Sequence, residues 1–105
     1  MEGKCITYII TCKDETYYIG YTSDIKRRIN EHKIGKNSKY TRARGFKNLE
    51  IYWSSNSRSD AMKLECFLKK LTRLNKTKLI NNPSLLYDKY KVDDKKYRLE
   101  VLNEL

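Results

Sequence analysis

The sequence predicts an α+β fold: a small three-stranded antiparallel sheet flanked by helices, in the order β-β-α-β-α with a C-terminal helical tail. Three observations carry this expectation. Two runs rich in β-branched and aromatic residues, C-I-T-Y-I-I-T-C over 5–12 and T-Y-Y-I-G-Y-T over 16–22, are separated by three polar residues, which reads as a hairpin. Ala61, Leu64, Leu68, Leu71 and Leu74 recur at three- and four-residue spacing, which reads as a long amphipathic helix. One Pro and four Gly in 105 residues leave little for linkers, so the elements share one core.

The hairpin comes first. A loop of Lys13, Asp14 and Glu15 sets Cys12 opposite Thr16, so Tyr8 faces Gly20 and Tyr18 faces Ile10. Tyr8 and Tyr18 then share one face of the sheet, whereas a loop of even length would place them on opposite faces. Three-residue loops commonly end in a left-handed residue, here Glu15. Gly20 opposite Tyr8 leaves a notch beside the phenol that a substrate backbone would enter. Tyr17 and Tyr21 read as ordinary strand aromatics.

Thr22, Ser23 and Asp24 offer cap oxygens, so a helix runs from about Asp24 to Lys33 or Ile34 and stops at Gly35. Residues 36–48, K-N-S-K-Y-T-R-A-R-G-F-K-N, read as a basic loop with room for one helical turn. Leu49–Ser54 is the third strand. The long helix begins at Ser57 or Ser59, Asn75 breaks it, and Thr77–Asn82 adds a turn or short helix before Pro83. Residues 1–82 make the main domain. Residues 83–105, with Leu85, Leu86, Tyr87, Tyr90, Val92, Tyr97, Leu99, Val101 and Leu102 among alternating charges, pack on it or serve self-association.

Charge narrows the partners. Lys and Arg total 23 against 13 Asp and Glu, a net of +10, which favours polyanions through counterion release from phosphates. Cys5, Cys12 and Cys66 are odd in number and form no C-x-x-C pair, and there is one His, so a structural zinc site is not expected. No stretch resembles a signal peptide or a membrane span. The expected setting is intracellular, cytoplasmic or with the nucleoid or nucleus, with reduced thiols.

Polar residues at apolar positions mark a candidate site. Glu65 shares a helix face with Ala61, Leu68 and Thr72, and a carboxylate beside a buried stripe must be paired, hydrated or bound to a cation. Arg28 and His32 lie four apart beside the apolar ridge of Ile25 and Ile29. A packed Arg is a fixed charged fork suited to phosphate. His32, the sole His, reads first as a hydrogen-bonded scaffold residue.

Residues 6–35, I-T-Y-I-I-T-C-K-D-E-T-Y-Y-I-G-Y-T-S-D-I-K-R-R-I-N-E-H-K-I-G, resemble the GIY-YIG endonuclease family, and G-K-N-S-K-Y-T-R-A-R-G-F-K-N-L-E-I-Y-W is similar to its small stand-alone subfamily. Tyr8 takes the place of the first-motif tyrosine, although the motif reads Ile6-Thr7-Tyr8 rather than Gly-Ile-Tyr. Tyr18-Ile19-Gly20 is the second motif intact. Arg28 stands at the family arginine, His32 where His is common, and Glu65 where the metal-binding glutamate is expected. The late Asn has three candidates, Asn75, Asn81 and Asn82, with Asn81 preferred.

The resemblance implies a divalent-metal-dependent endonuclease acting on duplex or branched DNA. Its sequence specificity would be low, and it would be structure-selective in the manner of repair or recombination enzymes. Glu65 would hold one Mg²⁺ (or Mn²⁺) and Arg28 would neutralise charge on the phosphate. Tyr8 or Tyr18 would orient or deprotonate the water, its pKa lowered by Arg28, the metal or nearby lysines. His32 would relay the proton or position Tyr8. Lys36, Lys39, Arg42, Arg44 and Lys47 would track the DNA backbone. Tyr40 and Phe46 would stack on a base or pack under the loop, and Lys69–Lys70 reads as the wet face of the helix. With no further DNA-binding domain expected, targeting falls to the domain surface, a homodimer or a protein partner. The alternative is a non-catalytic nucleic-acid-binding module that keeps the fold.

Overall fold

The turn sets the hairpin register as expected. In the computed structural model, which describes residues 4–36 and 38–100, β1 (Cys5–Cys12) and β2 (Tyr17–Thr22) pair antiparallel. Tyr8 lies opposite Gly20 and Ile10 opposite Tyr18. Cys12 N donates to Thr16 O at 2.8 Å and Glu15 N to Cys12 O at 2.9 Å. Glu15 takes the left-handed position at φ 70°, where a β-carbon is crowded and Gly is favoured. Glu15→Gly is therefore expected to stabilise by about 0.5 kcal/mol in urea unfolding. Relief of strain should outweigh the exposed ion pair between Glu15 and Lys47, and a lower urea midpoint would show the opposite.

The sheet has four strands, not three. Its order is β2-β1-β3-β4, where β3 is Phe46–Ser55 and β4 is Arg98–Leu99. β3 begins three residues earlier than expected. It pairs Ile9 with Ile51 but Ile10 with Leu49, and Thr11 with Asn48 but Cys12 with Phe46, so Glu50 and Lys47 are each extra residues. These bulges carry the polar Lys47 and Asn48 into the strand while Leu49 and Phe46 stay with the apolar face. β4 is too short for any periodic signal. It forms because the outer edge of β3 offers unpaired backbone groups: Arg98 and Leu99 pair with Ser54 and Trp53, and Glu100 N donates to Tyr52 O at 3.1 Å.

Both faces of the sheet are covered, which is why β1 is buried almost throughout and its sequence does not alternate. Ile29 of α1 (Ile25–Ile34) packs on the face carrying Tyr8, Ile10 and Tyr52. Asp24 caps this helix by accepting from Arg27 N, and Gly35 ends it at φ 74°, as the sequence indicates. The opposite face, with Ile9, Ile19, Ile51 and Trp53, is covered by Leu64 and Leu68 of α3 (Arg58–Lys69).

Two stretches differ from expectation. Residues 39–44 form a short helix, α2 (Lys39–Arg44), somewhat longer than the single helical turn allowed for in the basic loop. Ser38 caps it and Gly45 closes it at φ 79°. It shows no apolar periodicity because its one buried residue is Thr41. The expected long helix is two helices, α3 and α4 (Arg73–Asn81), and the break falls before Thr72, not at Asn75. Thr72 Oγ1 accepts from Asn75 N at 3.1 Å, starting a new helix where a leucine count alone continues the old one. Leu74 is 63% exposed, so it lies off the buried stripe.

The C-terminal segment joins the α3 side. Leu86 of α5 (Leu85–Asp88) and Tyr97 are buried with Leu64, Leu68 and Leu79. Tyr97 Oη donates to Asp60 O at 2.8 Å. Val101 and Leu102, counted in the C-terminal pattern, lie outside the described residues.

Candidate active site

Tyr8 is fully buried on the central strand, with its hydroxyl at the meeting point of β1 and α1. Arg28 Nε donates to Tyr8 Oη at 3.3 Å, and Tyr8 Oη lies 2.8 Å from His32 Nε2. His32 Nδ1 lies 3.0 Å from Thr41 Oγ1. The guanidinium is always a donor, so Tyr8 accepts from it and has one proton to give. The arrangement that uses that proton places it toward His32 Nε2 and leaves Nδ1–H to donate to Thr41 Oγ1. The four residues form one hydrogen-bonded line, Arg28 to Tyr8 to His32 to Thr41.

Tyr18 lies beside this line and is half-buried. Its ring sits 5.1 Å from His32, 6.3 Å from Tyr8 and 5.3 Å from Tyr40 of α2, centroid to centroid. Arg28 Nη1 bonds Glu31 Oε1 at 3.0 Å. The spacing of Arg28 and His32 on α1 and the shared face of Tyr8 and Tyr18 are thus what bring these groups together.

Two expectations about Tyr8 are corrected. The notch at Gly20 is not open to a substrate backbone, because Tyr8 itself fills it. A β-carbon on Gly20 would stand 2.7 Å from Tyr8 Oη and 3.1 Å from Tyr18 Cε2. Nor is the Tyr8 pKa lowered in the free protein. Burial pushes the phenol up to about 12, against the opposing hydrogen bond and charge of Arg28, because removing water penalises phenolate more than one cation favours it.

Burial pulls His32 the other way, down to about 4, helped by the charge of Arg28. The imidazole is therefore neutral at physiological pH. The consequence for stability has a definite sign. The unfolded chain binds this proton near pH 6.5 and the folded chain only near 4. Stability is full above pH 6.5 and falls as the pH drops through that window. Urea midpoints measured across it are expected to decline for wild type and to decline less for His32→Gln. Parallel curves would contradict a buried neutral His32.

Glu65 comes from α3, on the other side of the sheet. It flanks the buried stripe of Ala61, Leu64 and Leu68 rather than joining it. Its charge is close enough to the Tyr8 phenol to oppose ionisation there. Glu65 Oε2 accepts from Lys69 Nζ at 3.2 Å, an i,i+4 pair in which Lys69 stays more than half exposed, on the wet face of the helix as expected. Among the described residues no group of three or more His, Cys, Asp or Glu is poised to hold a metal. A single, one-fifth exposed carboxylate fits a hard divalent ion that keeps most of its waters. It does not fit zinc.

The model of the GIY-YIG catalytic domain matches residues 4–78. The chain belongs to the GIY-YIG family. It is similar to the UPF0213 protein BH0048 of Halalkalibacterium halodurans, 45% identical over 70% of this chain and 79% of that one. It is also similar to a UPF0213 protein of Halobacterium salinarum, 46% identical over 69% and 94%, and to one of Clostridium perfringens, 39% identical over 79% and 89%. The solution NMR structure of the UPF0213 protein BH0048 from Bacillus halodurans is 43% identical, covers 74% of this chain and 83% of that chain, and superposes with a TM-score of 0.49. GIY-YIG nucleases act on DNA. Among the described residues no helix is long and apolar enough to cross a membrane.

Within this GIY-YIG domain the basic segment divides in two. Lys36, Lys39 and Arg42 are exposed. Arg44 bonds Asp14 and Lys47 bonds Glu15, both at 2.6 Å, so the hairpin turn already neutralises two of the five residues of the expected DNA track. Arg44 also lies over the Tyr40 ring at 4.8 Å. Tyr40 Oη donates to Tyr17 O at 3.2 Å, so Tyr40 packs under the loop. Phe46 packs with Tyr8 and Ile10. Of the asparagines, Asn81 and Asn82 stand exposed at the end of α4, where Asn82 Oδ1 accepts from Ser84, while Asn75 lies in its first turn. Thr41 was legible only as one polar letter in a basic stretch. Its burial against His32 depends on α2, which the sequence does not announce.

Proposed function

We propose that this chain is a divalent-metal-dependent DNA endonuclease of low sequence specificity that acts on branched or damaged duplexes. The observation that supports it most is the phenol of Tyr8, held between a fixed cation and a neutral imidazole. As a proton from the attacking water reaches Tyr8 Oη, the Tyr8 proton passes to His32 Nε2. The buried phenol then never carries a full negative charge for long, which offsets its raised pKa. Thr41 keeps the imidazole in the accepting tautomer. Arg28 stabilises the oxygen of Tyr8 and neutralises the phosphate as its charge builds. Tyr18, the more accessible phenol, orients the phosphate at the mouth. One Mg²⁺ or Mn²⁺, held by Glu65 in place of its contact with Lys69, would supply Lewis-acid stabilisation of the phosphate oxygens.

The test is nicking of supercoiled plasmid and cleavage of branched oligonucleotides with Mg²⁺ or Mn²⁺, with wild type beside Glu65→Gln and Arg28→Ala. Wild-type nicking that both variants lose is the expected result. DNA binding without nicking above the variant background would instead assign a non-catalytic binding module.

A further inference from the structure

Two arginines outside the cluster are held in the same unusual way. Arg58 opens α3, with its Cζ 5.8 Å from the centre of the Tyr21 ring and Nη2 donating to Tyr21 Oη at 3.3 Å. Arg73 opens α4, with its Cζ 4.7 Å from the centre of the Tyr17 ring. Tyr17 is fixed in turn by its hydroxyl, 2.7 Å from Thr77 Oγ1. Both arginines are exposed, and among the described residues neither has a carboxylate partner. Arg44 and Lys47 differ in this respect, since each is neutralised by an acid of the hairpin turn. A guanidinium resting on a ring is pre-oriented for phosphate, and even Arg58, with Nη2 on Tyr21 Oη, keeps N–H donors to offer.

The placement is as telling as the chemistry. Tyr17 and Tyr21 lie on one face of β2, the edge strand. Four residues of strand separate them by about 13 Å. Arg58, Glu65 and Lys69 share one face of α3, with Arg58 about 10 Å along the axis from Glu65. Arg73 lies beyond the other end of α3. The two arginines therefore bracket the Glu65 carboxylate along the β2 edge. The spacing of the two supporting tyrosines, about 13 Å, matches the rise of roughly four nucleotides along one DNA strand.

We infer that Arg58 and Arg73, seated on Tyr21 and Tyr17, clamp the phosphates on either side of the bond to be cut, so that the cleaved strand of the DNA runs along the β2 edge. This rests on the nuclease reading above. Tyr17 and Tyr21 then serve as positioning residues for the two forks.

The experiment is fluorescence anisotropy of a labelled DNA duplex without divalent metal, over a series of salt concentrations, with Arg58→Met, Arg73→Met and the double variant. Methionine keeps an unbranched stem over each ring, and both positions are exposed, so circular dichroism should show an unchanged fold. Each lost contact should lower the slope of log affinity against log salt by about 0.9, and the double variant by about twice that. Lys89→Met is the matched control. Lys89 also rests on a tyrosine, 5.4 Å over the Tyr90 ring, beside Phe67, and its slope should stay that of wild type. Arg58→Lys and Arg73→Lys should restore the slope with weaker binding. Unchanged slopes in both methionine variants, or an equal drop in Lys89→Met, would overturn the clamp while leaving the nuclease reading intact. Absence of salt-dependent binding by wild type would overturn both. A slope that responds to the variants only with an RNA duplex would assign the clamp to RNA and overturn it for DNA.

Discussion

Glu65→Gln is expected to lower DNA nicking by about a thousandfold or more, a loss of about 4 kcal/mol of transition-state stabilisation, with DNA affinity equal to or slightly above that of wild type. The amide keeps the shape of the side chain on α3 and the packing of Ala61, Leu64 and Leu68 beneath it. It removes the negative charge that would hold a divalent ion and that opposes an approaching phosphate. It also leaves Lys69 without its partner at 3.2 Å, a small effect for a half-exposed pair. The same variant should lose one Mn²⁺ binding event in calorimetry, a readout independent of turnover. A Glu65→Gln protein that nicks within tenfold of wild type would remove Glu65 from the reaction and reduce its contact with Lys69 to a local ion pair.

Tyr8→Phe is expected to slow cleavage by about a hundred- to ten-thousandfold, the range of a lost general base. Without the hydroxyl, Arg28 Nε and His32 Nε2 both lose their partner, and no oxygen remains to accept the proton of the water. Gly20→Ala tests the same oxygen by displacement. Its β-carbon would stand 2.7 Å from Tyr8 Oη and 3.0 Å from Cζ, so the phenol must leave the line between Arg28 and His32. The backbone at Gly20 has no positive φ, so the substitution perturbs side chains rather than the hairpin. Single-turnover rates over a range of pH for Tyr8→Phe, Gly20→Ala and Tyr18→Phe separate the candidates. Full activity in Tyr8→Phe together with loss in Tyr18→Phe would transfer the role of base to Tyr18.

Local chemistry made part of this site legible. The odd length of the Lys13–Glu15 loop is enough to place Tyr8 and Tyr18 on one face, because strand side chains alternate with period two. The spacing of Arg28 and His32 is enough to point both from one side of α1. The errors have equally local causes. Thr72 competes as a helix cap within a run of periodic leucines. α2 buries a threonine rather than an apolar stripe, and β4 has two residues.

What the sequence by itself determined is the frame: the hairpin register, the caps of α1, the family and the candidate groups of the site. Backbone parity, capping and motif spacing act over a few residues and are written in the chain. Only the tertiary structure decided the chemical state of those groups. Covering the β1 face with α1 and α2 removes water from Tyr8 and His32, raising one pKa and lowering the other. The meeting of the hairpin turn with the basic segment neutralises Arg44 and Lys47, while Arg58 and Arg73 rest on tyrosine rings with no carboxylate partner among the described residues. Desolvation and ion pairing depend on which distant elements are packed together, and no local spacing encodes that.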